Sequence, residues 1–186
     1  ATWLKDALGE KVLPNGLGLV EDPKRPRIQG SKPFDAEGLP TTRRAIVKDG
    51  RLTGWTLDLA TGRQLGVPST GNASRGPGGP PSPSVGNLTL TGGGLDRRDV
   101  IRDMGEGLLV TSLMGSAVNP TTGDYSRGAS GFWVSGGEIS HPVNECTIAG
   151  NLRDMLLGLV PCNDGLAHKS RVIPRLLVDG LVIAGS

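Results

Sequence analysis

The stretch Gly107–Val134, GLLVTSLMGSAVNPTTGDYSRGASGFWV, decides the fold. An apolar run with β-branched interruptions, Leu108 to Met114, leads into the turn-forming cluster Asn119-Pro120-Thr121-Thr122-Gly123-Asp124, and a glycine-punctuated run returns to Val134. This pattern reads as strand, loop and antiparallel return strand. Alternation along the return strand sets Tyr125, Arg127, Ala129, Gly131 and Trp133 on one face, and Ser126, Gly128, Ser130, Phe132 and Val134 on the other. Small residues therefore separate the Tyr125-Arg127 end from Trp133. Two readings stand: a trough that lets another backbone approach, or a bulged hairpin whose glycines serve only its own twist. On the first, Gly131→Val fills the trough while the domain tolerates the β-branched side chain. Gly128-Ala129-Ser130-Gly131-Phe132 is not a nucleophile elbow, because Phe132 stands where the second glycine belongs and no helix pattern follows.

Outward from this hairpin, the pattern remains one of short strands. Arg43 to Val47 and Leu52 to Leu57 flank Lys48-Asp49-Gly50, where Asp-Gly supplies the positive φ of a tight reversal. Leu17 to Val20, Val85 to Thr91, Glu138 to Val143 and Glu145 to Ile148 read as further strands, and Arg175 to Ala184 as a closing hairpin around Asp179-Gly180. Helices are expected at Thr2 to Glu10, Asp58 to Leu65, Asp96 to Met104 and, capped by Asn151, Asn151 to Leu159. The class is α+β: mainly antiparallel sheet built of hairpins, with a few short helices.

Composition bounds the function. With 186 residues the chain can bury the core of one domain, yet 30 glycines and 14 prolines mean that much of it is loop. Gly66 to Pro83 has almost no apolar content, so Gly71 to Pro83 is expected to be poorly ordered. No Gly-Lys pair exists, so its glycines do not make a phosphate loop. A net charge of +2 gives no footprint for nucleic acid or a membrane surface, and Lys24-Arg25-Pro26-Arg27 reads as a solvated loop. Two cysteines without short spacing, no charged-then-apolar leader and no long apolar span point to a reduced, cytoplasmic setting. The sequons at Asn72 and Asn87 matter only after secretion. The start at Ala1 without Met suggests a fragment lacking an N-terminal region.

Chemistry is sparse. Asp35 and Glu37 are the one tight carboxylate pair in a distinctive loop, and two loop carboxylates are usually just solvated. His141, Cys146, Cys162 and His168 lack the paired spacing of a zinc site, and no helix carries two histidines one turn apart.

Four ordered segments carry a resemblance: KPFDAEGLPT from Lys32, LGVPSTGNA from Leu65, NPTTGDYS from Asn119 and TIAGNL from Thr147. Together they resemble the C-terminal region of the TldD/PmbA family, formerly called modulators of DNA gyrase. The PmbA (TldE) branch matches best, through Ala149-Gly150-Asn151-Leu152. The resemblance implies a cytoplasmic two-subunit metalloprotease acting on unfolded or extended peptides. In it the TldD-type partner holds zinc and a TldE-type chain such as this one is non-catalytic and carries no cofactor. It also implies that family zinc ligands come from an upstream H-E-x-x-x-H helix and a cysteine downstream of a Gly-Asn-Asp-like turn. Here that turn is Cys162-Asn163-Asp164, with cysteine in place of glycine, and Ala167 to Val172 offers no ligand. This departure argues against a metal role, and Cys162 is retained as the one candidate. The residues expected to contact the partner subunit or the peptide are Asn119, Asp124, Tyr125, Arg127, Gly131 and Trp133. The alternative is a regulatory protein that modulates DNA gyrase or its inhibitors without proteolysis and without touching DNA.

Overall fold

The computed structural model describes residues 6–185, excepting the side chains of Ser116 and Ala117. In chain order its elements are β1 (Gly18–Glu21), β2 (Arg44–Lys48), β3 (Arg51–Leu52), α1 (Leu59–Leu65), β4 (Ala73–Ser74), β5 (Ser82–Pro83), β6 (Leu88–Thr91) and α2 (Arg97–Met104). There follow β7 (Gly107–Val118), β8 (Asp124–Ser135), β9 (Glu138–Asn151), α3 (Leu152–Leu157), β10 (Val160–Pro161), β11 (Arg171–Val172), β12 (Leu176–Leu177) and β13 (Val182–Ala184). The sheets are mostly antiparallel and the helices few and short, as the α+β pattern predicts. The chain divides into two compact units.

One unit comprises residues 15–92 and 165–174 and is built on a five-stranded sheet in the order β11-β6-β1-β2-β3. Only the β11–β6 pairing in it is parallel. Its core is Leu17, Ile46, Val47, Leu52, Leu57 and Ala73. The β2–β3 reversal turns on Asp49 and Gly50, at φ 48° and 74°, and the Asp49 carboxylate accepts the Gly16 N–H at 2.6 Å. The return strand is shorter than the predicted Leu52 to Leu57. Arg44 donates to the Trp55 carbonyl at 2.6 Å and to Thr56 Oγ1 at 3.0 Å, so a side chain takes over where strand pairing stops. α1 starts on a capping box between Asp58 and Thr61 and ends on Gly66 in the left-handed conformation.

Sequence composition missed the order at the start of the segment from Gly71 to Pro83, most of whose later residues are exposed. Asn72 and Ala73 are buried and β4 pairs with β5, because the order comes from a neighbouring loop rather than from the segment's own side chains. Ala73 donates to Asp35 Oδ2 at 3.0 Å and accepts from Ala36 at 3.1 Å.

The other unit, described over 6–14, 93–164 and 175–185, is built on the four-stranded sheet β13-β9-β8-β7. Ala129, Cys146 and Ile148 form its buried centre, with Leu108, Val110, Tyr125 and Val143 packed around them. The three long strands are not regular. Between Val110 and Ser112, β7 advances two residues for one on β8. From Ala129 to Gly131, and again from Phe132 to Val134, β9 advances three residues for two on β8. The bulges therefore fall on β7 and β9, and Glu145, at φ 55°, occupies one of those on β9. α2 and α3 are capped by Asp96 and Asn151, whose side chains accept from Arg98 and Arg153.

Two expectations fail in this unit. The terminal segment is no hairpin: β12 pairs with β10, whereas β13 pairs with β9. Arg175 is held to Asp164 by its side chain and by its N–H at 2.8 Å, and its carbonyl accepts from Cys162 at 2.8 Å, so the two arms join different strands. Of the helix expected from Thr2 to Glu10, residues 2–5 lie outside the described residues. Residues 6–10 form turns, with Glu10 donating to the Ala7 carbonyl at 2.9 Å.

Candidate functional site

The turn of the long hairpin is built by its own polar side chains. Asn119 Oδ1 accepts from the Thr121 and Thr122 N–H groups at 2.9 and 3.4 Å, and Thr122 Oγ1 donates to Asp124 Oδ2 at 2.5 Å. The Asn119 N–H donates to the Asp124 carbonyl at 2.8 Å and the Gly123 N–H to the Asn119 carbonyl at 2.9 Å. The start of α3 then braces the turn: Asn151 Nδ2 donates to the Thr122 carbonyl at 3.1 Å and the Leu152 N–H to the Gly123 carbonyl at 2.7 Å. Two of the quoted segments, NPTTGDYS and TIAGNL, are thus neighbours, with Tyr125 opposite Gly150 and Ser126 opposite Ala149.

Beside this turn lies an open concavity of about 330 Å³, lined by Val118, Asn119, Asp124, Tyr125 and Ser126. It gathers three of the six residues singled out from the sequence. Arg127 stands two positions beyond Tyr125 on the same face of β8, and its buried Nε has no hydrogen-bond partner. Trp133 is eight residues from Tyr125, roughly 26 Å of strand, so it belongs to the opposite end of the sheet.

Gly131 has a different role from the one expected of an open trough. A Cβ there would stand 2.0 Å from the Leu109 carbonyl oxygen and 3.0 Å from Val110 Cα, so the backbone that approaches it is that of β7. The expectation that the domain tolerates Gly131→Val is overturned, and this glycine serves the hairpin's own bulge. Gly128, three residues away and on the opposite face, differs: a Cβ there would meet Met114 Cβ at an ordinary 3.5 Å.

The remaining sequence candidates take structural places. Asp35 Oδ1 accepts from Glu37 and Leu39, both at 2.9 Å, and Oδ2 from Ala73. Burial pushes its pKa up, but these three N–H groups and the Lys32 charge outweigh it, and the result lies below the ordinary value. Glu37 Oε2 accepts the Leu59 N–H at 2.9 Å. The pair tie loops together. Cys162 is 2% exposed. Burial, then the Asp164 carboxylate, pushes its thiol above the ordinary value, which disfavours the thiolate a metal needs. Cys146 Sγ faces the Ala129 carbonyl at 3.0 Å, and His141 Nδ1 lies 3.1 Å from Ser140 Oγ. Among the described residues no three His, Cys, Asp or Glu side chains come together in a group able to hold a metal.

Sequence reasoning missed a buried polar network in the first unit. Glu21, 2% exposed, accepts from Asn72 Nδ2 at 2.8 and 3.0 Å, from the Gly86 N–H at 2.7 Å and from Arg44 Nε at 3.0 Å. Asn87, also buried, donates to the Asp22 carbonyl and to Ser31 Oγ. The side chains of both sequons are therefore interior hydrogen-bonding groups. Asn72 lies inside the quoted segment LGVPSTGNA, which was the available signal.

A family model described as the PmbA/TldA metallopeptidase C-terminal domain matches residues 1–185, and the chain belongs to that family. Metalloprotease PmbA of Escherichia coli O157:H7 is 44% identical over 186 residues, a match that covers 100% of this chain and 39% of that protein. A crystal structure from Bacteroides thetaiotaomicron, described as a candidate modulator of DNA gyrase, superposes with a TM-score of 0.86 at 29% identity, covering 100% of this chain and 40% of that one. The crystal structure of TldE from Thermococcus kodakarensis gives 0.83 at 25% identity, over 98% of this chain and 42% of that one. The chain thus spans about two fifths of the length of these relatives. Among the described residues no helix is long and apolar enough to cross a membrane.

Proposed function

We propose that this chain is the C-terminal domain of a non-catalytic, PmbA/TldE-type subunit of a heteromeric zinc metalloprotease that acts on unfolded or extended peptides in the cytoplasm. The observation that carries the reading is the likeness along the whole chain to both a PmbA metalloprotease and a TldE structure. In this reading a TldD-type partner supplies the zinc and the bond-breaking chemistry. This chain supplies no cofactor and contributes the braced turn, the concavity and Arg127 to the contact surface. The test is peptide cleavage by the full-length protein alone, by a TldD-type partner alone and by the two mixed, with metal content measured on each. Cleavage that needs both chains, with zinc in the partner only, is expected. Cleavage and stoichiometric zinc in this chain's own protein would overturn the assignment.

The second reading, a regulatory protein that modulates DNA gyrase without proteolysis, is favoured by the description of the Bacteroides structure. Gyrase activity that changes on addition of the protein, with no cleavage in any mixture, selects it. Both readings are framed without direct DNA contact, which the near-balanced charge of +2 supports.

A further inference from the structure

We infer that the loops 24–27 and 167–171 form a docking surface for a short acidic segment of a partner protein. The first support is how the chain distributes its charge. The net +2 is the difference between two unlike units. Residues 15–92 and 165–174 hold twelve Lys and Arg against six Asp and Glu, a net +6, and the other unit holds eight against twelve, a net −4. Within the basic unit the excess is concentrated. Residues 23–31 and 165–174 contain Lys24, Arg25, Arg27, Lys169 and Arg171, and no acidic residue. This surface belongs to a different unit from the concavity beside Tyr125, so it stands whether or not the proteolytic reading does.

The second support is that the fold brings the two stretches together and holds them. The Arg25 guanidinium donates to the Lys169 carbonyl at 3.0 Å and to the Ala167 carbonyl, so it staples one loop to the other through acceptors that do not cancel its charge. The Gly30 N–H donates to Ser170 Oγ at 3.2 Å, and Ser31 Oγ to the Arg25 carbonyl at 2.5 Å. Pro23 and Pro26 restrict the first loop further. Lys24, Arg27, Lys169 and Arg171 are exposed and make no ion pair among the described residues. The carboxylate that borders them, Asp22, is engaged by the Lys24 N–H at 3.0 Å and by Arg43 at 3.7 Å. Like charges fixed on two stapled loops repel one another, and a carboxylate-rich segment relieves that repulsion while meeting donors already in place. Each loop spans at most about 17 Å, the reach of about five extended residues. Nucleic acid fits less well: neither stretch offers an aromatic side chain for a base to stack on, and a duplex is a long polyanion that the unit of net −4 repels.

The test titrates fluorescein-labelled hexapeptides of Glu or of Gln, blocked at both ends, into the full-length protein that carries this chain, with a DNA duplex of about 20 base pairs as the third probe. At about 0.01 M salt the Glu peptide is expected to bind about tenfold or more tightly than the Gln peptide. The preference is expected to fade towards about 1 M salt, as the screening length falls from about 30 to about 3 Å. Combining Lys24→Gln, Arg27→Gln and Lys169→Gln is expected to abolish it. Combining Lys48→Gln, Arg63→Gln and Arg75→Gln, which removes the same charge from exposed positions outside the two loops, is expected to retain it. Equal affinities of the wild type for the Glu and Gln peptides overturn the inference whatever the variants do. An equal loss in the two triple variants also overturns it, because net charge rather than this surface then sets the binding. A duplex that binds more tightly than the Glu peptide, and is released by the first triple variant alone, assigns the surface to nucleic acid and refutes the acidic protein segment.

Discussion

Gly131→Ala is the smallest change that asks whether the long hairpin is closed on itself. The added methyl would lie 2.0 Å from the Leu109 carbonyl oxygen, and its three nearest neighbours are backbone atoms of β7, so no side chain can swing aside. An unstrained carbon–oxygen contact needs about 3.3 Å. The two strands must therefore part locally by about 1.3 Å, against a normal spacing near 4.8 Å. Parting them weakens about two ladder hydrogen bonds, at about 1 kcal/mol each, and adds an overpacking strain of about 1–3 kcal/mol. The unfolded chain loses some freedom when glycine is replaced, which returns about 0.4–1 kcal/mol. The net expectation is a loss of about 3 kcal/mol. Gly128→Ala provides the control, since its methyl would meet Met114 at an ordinary contact distance, and it is expected to be neutral within about 0.5 kcal/mol. Urea unfolding of both variants, compared at constant slope, measures the difference. Equal midpoints for the two variants would refute the account of Gly131 as a site of intramolecular close approach.

Two further outcomes follow from hydrogen bonds at the quoted segments. The Asp35 carboxyl is held below its ordinary pKa, so its contribution to stability is fully present above about pH 4 and is lost as the pH falls through the lowered folded value. Asp35→Asn is expected to flatten the acid limb of a stability-versus-pH curve measured by urea unfolding; an unchanged acid limb would contradict this. Asn151→Ala removes the α3 cap and the brace to Thr122, at a cost of about 1–2 kcal/mol, and should speed hydrogen exchange at Arg153. Unchanged exchange at that amide would show that the turn and helix are held by something else.

Local signals made the elements legible and left their partners hidden. The Asp49-Gly50 reversal, the Asn151 cap and the Gly107–Val134 hairpin each rest on local signals, and each stands where the sequence puts it. The terminal segment was misread for the same reason. Asp179-Gly180 is a sound turn signal, but the ion pair of Arg175 with Asp164, eleven residues back, and the pairing of Val182 with Ala149 decide where the two arms go. Glu21 shows the limit most clearly. As the last residue of GLVE it reads as the solvated end of a strand, yet Arg44 and Asn72, 23 and 51 positions away, bring donors that make its burial tolerable. No periodicity encodes that meeting.

The candidate site was half legible on the same terms. Asn119, Asp124 and Tyr125 could be grouped because a turn gathers its own residues, and they line one concavity. Gly131 was misassigned because a missing Cβ does not say which backbone takes its place, and here the bulge of β7 supplies it. Arg127 carries the reverse lesson. Alternation places it beside Tyr125, but only the structure shows that its Nε, like that of Arg97, is buried without an acceptor while Arg44 and Arg25 are provided for.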